Sequence, residues 1–131
     1  MRYTARLKLL SKYLLGFWFA LAGLNHFIHP GFYLRMMPPL LPWHLFLVYL
    51  SGFFEIALGL LVFVSRYRRI AAWGLIALLV AVFPANVHMA LNPQLFPDIP
   101  PAALWFRLPL QALLIAWVYS LTNGTKDDAR A

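Results

Sequence analysis

Apolar residues in this chain fall into four long runs, separated by short segments rich in proline or in basic side chains. The runs cover residues 9–28, 43–64, 70–91 and 103–121. Each is about as long as the ~20 residues that a helix needs to cross the hydrocarbon core of a bilayer. The pattern predicts an all-α fold, in which residues 1–131 form a single transmembrane domain, a four-helix bundle of the left-handed type.

The connectors between the runs differ in composition. Residues 29–42 contain four prolines and a glycine, so they cannot form one continuous helix, and residues 92–101 contain four more prolines. The first of these segments is also apolar, and we expect it to lie in the interface as a cap over the helix ends. The connector at residues 65–69 is instead a tight basic turn.

Composition indicates that lipid is the solvent of this chain. Hydrophobic residues make up 63% of the 131 residues and charged residues 11%, whereas soluble domains have roughly half and roughly a quarter. An excess of this size cannot be buried in the core of so short a chain. We therefore expect a lipid bilayer around the helices.

The net charge of +7 does not indicate a nucleic-acid partner, because the basic residues flank the apolar runs instead of forming a patch. With the N-terminus inside, nine of the eleven lysines and arginines lie on the cytoplasmic side, and only Arg35 and Arg107 lie on the other. The charge therefore predicts an N-in/C-in protein of the cytoplasmic membrane. The basic start and the small residues of 20–22 also fit a cleavable signal peptide, and this alternative stays open.

Glu55 is the only glutamate and the only carboxylate side chain before Asp98, and it lies inside the second apolar run. A single ionisable group in a membrane-length segment is costly, so it indicates a partner, a neutralising proton or a functional role. The structural alternative is an ion pair with Arg107. The backbone of Arg107 lies about 9 Å nearer the outer surface than that of Glu55, and helix tilt brings the long arginine side chain within reach.

Small residues line one face of the first two runs, and transmembrane helices approach closely at such faces. In the first run the stripe has His26 at its edge and consists of Gly16, Ala20 and Gly23. In the second run the residues spaced by four are Ser51, Glu55 and Gly59. We expect both faces to lie in the bundle interior.

Polar side chains of the other three runs lie, like Glu55, towards the outer half of the bundle. At ~100° per residue, His88 ends a stripe of small residues that should face inward: Gly74, Ala77, Ala81 and Ala85. Asn86 points away from that stripe unless Pro84 re-aims the last turn. The positions predict a polar pocket under the cap, formed by Glu55, His88, Arg107 and Gln111, with His26 and Asn86 at its rim.

A metal or haem would need a better set of ligands than the chain offers. Depth and helical angle only permit a nitrogen–nitrogen–oxygen site from His26, His88 and Glu55. The two histidines lie at the same end of the bundle without a second pair, which argues against haem. The chain has no cysteine, which excludes thiolate metal sites and iron–sulfur clusters. We predict no metal site.

Five motifs occur in order across the four runs: G-L-N-H-F-I-H-P-G-F-Y (23–33), M-P-P-L-L-P (37–42), S-G-F-F-E-I-A-L-G (51–59), V-F-P-A-N-V-H-M-A (82–90) and R-L-P-L-Q (107–111). In these motifs the chain resembles the DoxX family of small four-span bacterial membrane proteins, particularly its short branch. The resemblance covers roughly residues 16–119. It implies a protein of the bacterial inner membrane and a link to quinol oxidase and thiosulfate:quinone oxidoreductase systems. It carries over no catalytic residue.

The pocket and the resemblance together predict an accessory subunit of a quinone-linked membrane redox system. Quinone is then the candidate cofactor, membrane redox subunits are the partners, and Glu55 or His88 handles the proton of the head group. Two alternatives stay open: a small carrier or binding protein for a polar solute or ion, and a structural scaffold without catalysis. No nucleophile–base set or nucleotide fingerprint is present, which argues against a self-contained enzyme of the soluble type. Whether the chain is an enzyme stays open.

Overall fold

The computed structural model describes residues 2–122, with side chains from residue 6, and this part of the chain contains no strand. In chain order the α-helices are α1 (Arg2–Ile28), α2 (Pro30–Met36), α3 (His44–Leu61), α4 (Arg68–Leu91) and α5 (Pro101–Tyr119). Single 3-10 turns, Ser65–Tyr67 and Pro93–Leu95, flank α4. Because α1, α3, α4 and α5 are long and apolar enough to cross a membrane, the all-α, four-span prediction is confirmed. Lys126 and Arg130, which enter the predicted charge bias, lie outside the described residues.

The surface of the bundle is apolar on every long helix. Exposed fractions are 63% for Leu10, 60% for Phe46, 68% for Ile70 and 66% for Leu113, one residue from each of α1, α3, α4 and α5. Large aliphatic and aromatic side chains exposed around a whole bundle are unfavourable in water and favourable in lipid. The exposure pattern therefore indicates a multi-pass membrane protein.

Glycines bring α1 and α3 into close contact. A Cβ atom added to Gly23 would lie 2.6 Å from the carbonyl oxygen of Gly52, and one added to Gly16 would lie 2.7 Å from that of Gly59. These separations leave no room for a side chain, so the backbones touch where the four glycines meet. The small-residue faces predicted for the first two runs do lie at this contact.

The capped end of the bundle consists of residues 29–43 and 92–100. Residues 29–42 are not one continuous helix, as predicted, but they include α2, which begins at Pro30 because the first helical position needs no N–H donor. The guanidinium of Arg35 lies 5.7 Å from the ring centre of Phe32 and 5.3 Å from that of Phe96, which joins the two connectors. Beneath them is a hydrophobic cluster of Met36, Met89, Ala90, Phe96 and Leu104.

The opposite, basic end contains the turn at Ser65–Tyr67 and a second hydrophobic cluster. Arg68 is buried there and its Nε donates to the carbonyl oxygen of Val62 at 2.7 Å. Nearby, Trp117 Nε1 donates to Ser11 Oγ at 2.6 Å, which joins α5 to α1. The cluster consists of Leu15, Phe19, Val62, Ala71, Ala72, Leu75, Leu79, Val118 and Leu121.

The predicted inward face of α4 is only partly correct: Gly74 packs against Leu58 and Ala85 lines the cavity, but the middle of the stripe does not face inward. Ala77 and Ala81, which belong to the expected small-residue stripe, are exposed on the bundle surface. The helix is rotated about its axis relative to the prediction, by about the angle between successive residues. Its buried face carries Leu75, Leu79 and Asn86. Nearly every residue of this helix is apolar, so hydropathy gives no contrast between its faces.

Candidate functional site

A cavity of about 570 Å³ lies between the two hydrophobic clusters. All five α-helices contribute to its lining, which is apolar over much of its area. Eight polar side chains also line it: Asn25, His26, Tyr33, Ser51, Glu55, Asn86, Arg107 and Gln111. An apolar cavity with a few convergent polar groups is the usual form of a small-molecule site.

His26 and Glu55 form an ion pair at the wall of this cavity. His26 Nε2 lies 2.7 Å from Glu55 Oε2, and the two side chains are 10% and 15% exposed. The glycine contact between α1 and α3 sets this distance, because the Cβ of His26 lies 2.7 Å from where a side chain on Gly52 would begin. Glu55 stands eleven residues along α3 from His44, about 16 Å into the bundle at ~1.5 Å per residue.

The other nitrogen of His26 determines how many protons the pair holds. Nδ1 lies 3.0 Å from the carbonyl oxygen of Val48, which can only accept a hydrogen bond, so Nδ1 carries a hydrogen. Ser51 Oγ lies 3.2 Å from Nδ1 and donates its own hydrogen to the same carbonyl oxygen at 3.0 Å. Nε2 and Glu55 Oε2 are 2.7 Å apart, and a contact this short between two polar atoms needs a second hydrogen between them. The pair has a net charge of zero whichever of the two atoms holds that proton.

Asn86, Arg107 and Gln111 form a second hydrogen-bonded chain across the cavity wall between α4 and α5. Arg107 Nε donates to Asn86 Oδ1 at 3.3 Å, and Asn86 Nδ2 donates to Gln111 Oε1 at 2.5 Å. Gln111 Nε2 then donates to the carbonyl oxygen of Leu79. Each amide both accepts and donates, so the chain orients both amides in one direction.

Tyr33 of α2 lies against the α1 side of the cavity, next to the His26–Glu55 pair. Its ring stacks on the His26 imidazole, with ring centres 3.9 Å apart, and its hydroxyl oxygen accepts a hydrogen bond from Asn25 Nδ2 at 2.7 Å. Burial raises the pKa of the Tyr33 hydroxyl above its ordinary value, and the hydrogen bond from Asn25 acts against this effect without cancelling it. The phenol therefore keeps its hydrogen, which it can donate to a ligand in the cavity.

The cavity reaches the surface of the bundle between α1 and α5, the two helices that carry its exposed lining residues. On this side its lining includes Trp18, Leu21 and Leu110, whose side chains are 57%, 50% and 42% exposed. The two helices are joined at the basic end by the bond from Trp117 to Ser11. An opening bordered by exposed apolar side chains admits a molecule from the hydrocarbon region of a membrane.

Residues 15–122 match the family described as a domain of unknown function, DUF8561. The chain belongs to this family. Comparisons with curated proteins and with solved structures give no match. The DUF8561 match contains the whole cavity lining, from Trp18 to Leu114.

Five of the six residues predicted for the pocket line the cavity of this DUF8561 domain: Glu55, His26, Asn86, Arg107 and Gln111. The sixth, His88, is not on the lining, and its Nδ1 lies 3.2 Å from Asn92 Nδ2 near the end of α4. Asn86, expected to point elsewhere, is buried and faces the cavity. Glu55 is paired with His26 and not with Arg107, which contacts Asn86 instead.

Three polar lining residues were missed in the sequence: Asn25, Tyr33 and Ser51. Asn25 is next to His26, and Ser51 is spaced by four from Glu55, so both could have been included from their spacing. Tyr33 follows a proline in an apolar connector, and only the formation of α2 places its ring on His26. Within the described residues no group of three or more His, Cys, Asp or Glu has the geometry to hold a metal ion.

Proposed function

We propose that this protein binds the head group of a membrane quinone in the cavity, as an accessory subunit of a quinone-linked membrane redox system. In this proposal the chain lies N-in/C-in in a bacterial inner membrane, with the capped end outside, and a partner subunit supplies electrons. The observation that carries the proposal is the 2.7 Å contact between His26 Nε2 and Glu55 Oε2, at the wall of a cavity whose exposed lining residues are apolar.

Reduction of a quinone to a quinol takes up two electrons and two protons. The His26–Glu55 pair provides one proton to a quinone oxygen, because its shared proton lies on the cavity wall. The second proton comes from solvent, and both electrons come from the partner redox subunit. The hydroxyl of Tyr33 and the N–H groups of Arg107 donate hydrogen bonds that hold the head group, while the apolar tail lies in the opening between α1 and α5.

The resemblance to the DoxX family supports the same proposal. The eight polar cavity residues all fall within the motifs on which that resemblance rests: Asn25, His26 and Tyr33 in 23–33, Ser51 and Glu55 in 51–59, Asn86 in 82–90, and Arg107 and Gln111 in 107–111. These motifs occur on five different helices, and the fold brings them to one cavity.

Mass spectrometry of the lipid extract tests the proposal. The protein is purified in lipid nanodiscs from membranes that contain quinone, as wild type, as Glu55→Gln and as His88→Gln, the last being the control because His88 does not line the cavity. We expect quinone with the wild type and the control, and several-fold less with Glu55→Gln. No quinone in any preparation overturns the proposal.

The same variants distinguish the alternatives. Solute or ion flux in proteoliposomes that is lost in Glu55→Gln, without bound quinone, would favour a carrier. Lower thermal stability of Glu55→Gln without a change in any ligand or flux would favour a structural scaffold.

A further inference from the structure

We infer that the ligand of the cavity is an anionic amphiphile, a membrane-soluble molecule whose head group carries an ionised oxygen, and that Arg107 binds this oxygen. The inference rests on the proposed function for the place of binding and adds the charge of the ligand. An ionised hydroxyquinone and a fatty-acid carboxylate share this chemistry.

Arg107 is a cation without an acidic partner in the part of the chain that the structure describes. Residues 6–122 contain two acids, Glu55 and Asp98. Glu55 is paired with His26, and Asp98 is exposed on the connector at the capped end. The contact of Arg107 is with the neutral amide oxygen of Asn86, at 3.3 Å from Nε.

The charges around the cavity do not cancel. The His26–Glu55 pair is neutral as a unit, because it holds the proton on Nδ1 and one shared proton. The Tyr33 hydroxyl is neutral as well, so the guanidinium leaves the cavity with a net charge of +1. A cation within a transmembrane helix is costly, and in low dielectric an anion close to it removes much of that cost.

The guanidinium has donors left for such an anion. Arginine carries five N–H donors in a planar fork, and the contact of Nε with Asn86 uses one of them. The four hydrogens on Nη1 and Nη2 match the two oxygens of a carboxylate, or an ionised oxygen and its neighbouring carbonyl. Asn86 and Gln111 behind it fix the direction of the side chain.

The opening is placed so that a tail can remain in the membrane. Leu110 borders the opening and lies three residues after Arg107, on the same side of α5. A head group that enters between α1 and α5 thus meets Arg107 within one helical turn. Trp18 and Leu21, exposed on α1, face the tail that follows it.

Two pairs of probes test the inference, each with one anionic and one neutral member of similar shape. The first pair is 2-hydroxy-1,4-naphthoquinone, ionised at neutral pH, and 1,4-naphthoquinone. The second is palmitate and hexadecanol. Binding to the protein in phosphatidylcholine nanodiscs is measured by calorimetry, with each affinity corrected for the partition of the probe into empty nanodiscs.

For the wild type we expect the anionic member of a pair to bind about tenfold more tightly, since a hydrogen bond with one ionised partner is about twice as strong as a neutral one. Arg107→Gln should abolish this preference, and Arg107→Lys should retain part of it. Arg66→Gln removes the same charge at the basic end and should leave the preference unchanged. A thermal unfolding transition confirms that each variant is folded. If Arg107→Gln does not fold, the weakened preference expected for Arg107→Lys provides the test.

Equal affinity for both members of each pair in the wild type overturns the inference, and so does a preference that persists in folded Arg107→Gln. If palmitate shows the preference and neither naphthoquinone binds, the quinone proposal fails and the anionic ligand stands. If both naphthoquinones bind without a preference for the anion, the quinone proposal stands and the anionic ligand fails.

Discussion

The Nε2 atom of His26 lies 2.7 Å from the Oε2 atom of Glu55, and this contact joins α1 to α3 inside the bundle. It explains how a single carboxylate is accommodated in a membrane-length helix. His26 Nδ1 carries one hydrogen, directed at the Val48 carbonyl oxygen, and the 2.7 Å contact between Nε2 and Oε2 needs a second one. The pair is therefore neutral without any further counter-ion.

Replacement of Glu55 by glutamine should leave the fold intact. The glutamine amide can donate to Nε2 of neutral His26, so we expect the free energy of unfolding to stay within about 1 kcal/mol of wild type. Glu55→Leu leaves His26 without this partner and should cost ~1–3 kcal/mol. Thermal unfolding in one detergent compares them. Equal destabilisation by glutamine and leucine would show that the shared-proton arrangement is incorrect.

Alanine at the glycine contact should destabilise the bundle. A Cβ at Gly52 would lie 2.7 Å from the Cβ of His26, and one at Gly23 would lie 2.6 Å from the Gly52 oxygen. Overpacking of this kind costs ~1–3 kcal/mol, and it should also separate His26 from Glu55. Gly31→Ala is the matched control, because nothing lies within 4 Å of its added Cβ. A Gly52→Ala protein as stable as Gly31→Ala would contradict the close contact.

Tyr33 should make stability depend on alkaline pH. Burial raises the pKa of its hydroxyl above the ordinary 10.0, so the fold favours the neutral phenol. This contribution is fully present below a pH of about 10, the pKa of the unfolded chain, and is lost as pH rises through the higher folded-state pKa. Unfolding temperatures measured across this range should fall less steeply for Tyr33→Phe. The control is Tyr119→Phe, exposed near the basic end, and an identical slope for Tyr33→Phe and wild type would refute the assignment.

Gln111 should matter for stability more than its size suggests. Gln111→Leu leaves Asn86 Nδ2 without its acceptor and removes a donor from the Leu79 carbonyl oxygen. A buried polar group left without a partner costs ~1–3 kcal/mol. Gln94→Leu changes an exposed glutamine and should stay within ~0.5 kcal/mol of wild type. Chemical denaturation in mixed micelles measures both, and a neutral Gln111→Leu would show that the chain from Arg107 to Leu79 is not maintained.

The sequence predicts where the polar residues lie along the bundle better than it predicts which residues they contact. Glu55, Arg107 and Gln111 are all predicted in the outer half of the bundle, and they line one cavity. The partner of Glu55 was not foreseen, because it depends on which helices are adjacent. In the structure α3 packs against α1 and α4, while α5 packs against α4. Glu55 therefore meets His26 of α1, and Arg107 meets Asn86 of α4.

His88 was predicted to line the cavity and does not, whereas Tyr33 lines it and was not predicted. His88 lies at the right depth, but the buried face of α4 is the one that carries Asn86. Tyr33 lies in a segment without helical periodicity, and it reaches His26 because α2 folds back over the helix ends. In a chain this apolar, hydropathy does not distinguish one helix face from another.

By itself the sequence determined the number of membrane-length helices, their approximate positions and the end of the bundle towards which the polar residues lie. These follow from hydropathy and from a helical rise of ~1.5 Å per residue, both of which are local properties. The tertiary structure alone decided the rotation of each helix, the His26–Glu55 pair and the opening between α1 and α5. These depend on contacts between distant segments, above all the glycines through which the backbones of α1 and α3 touch.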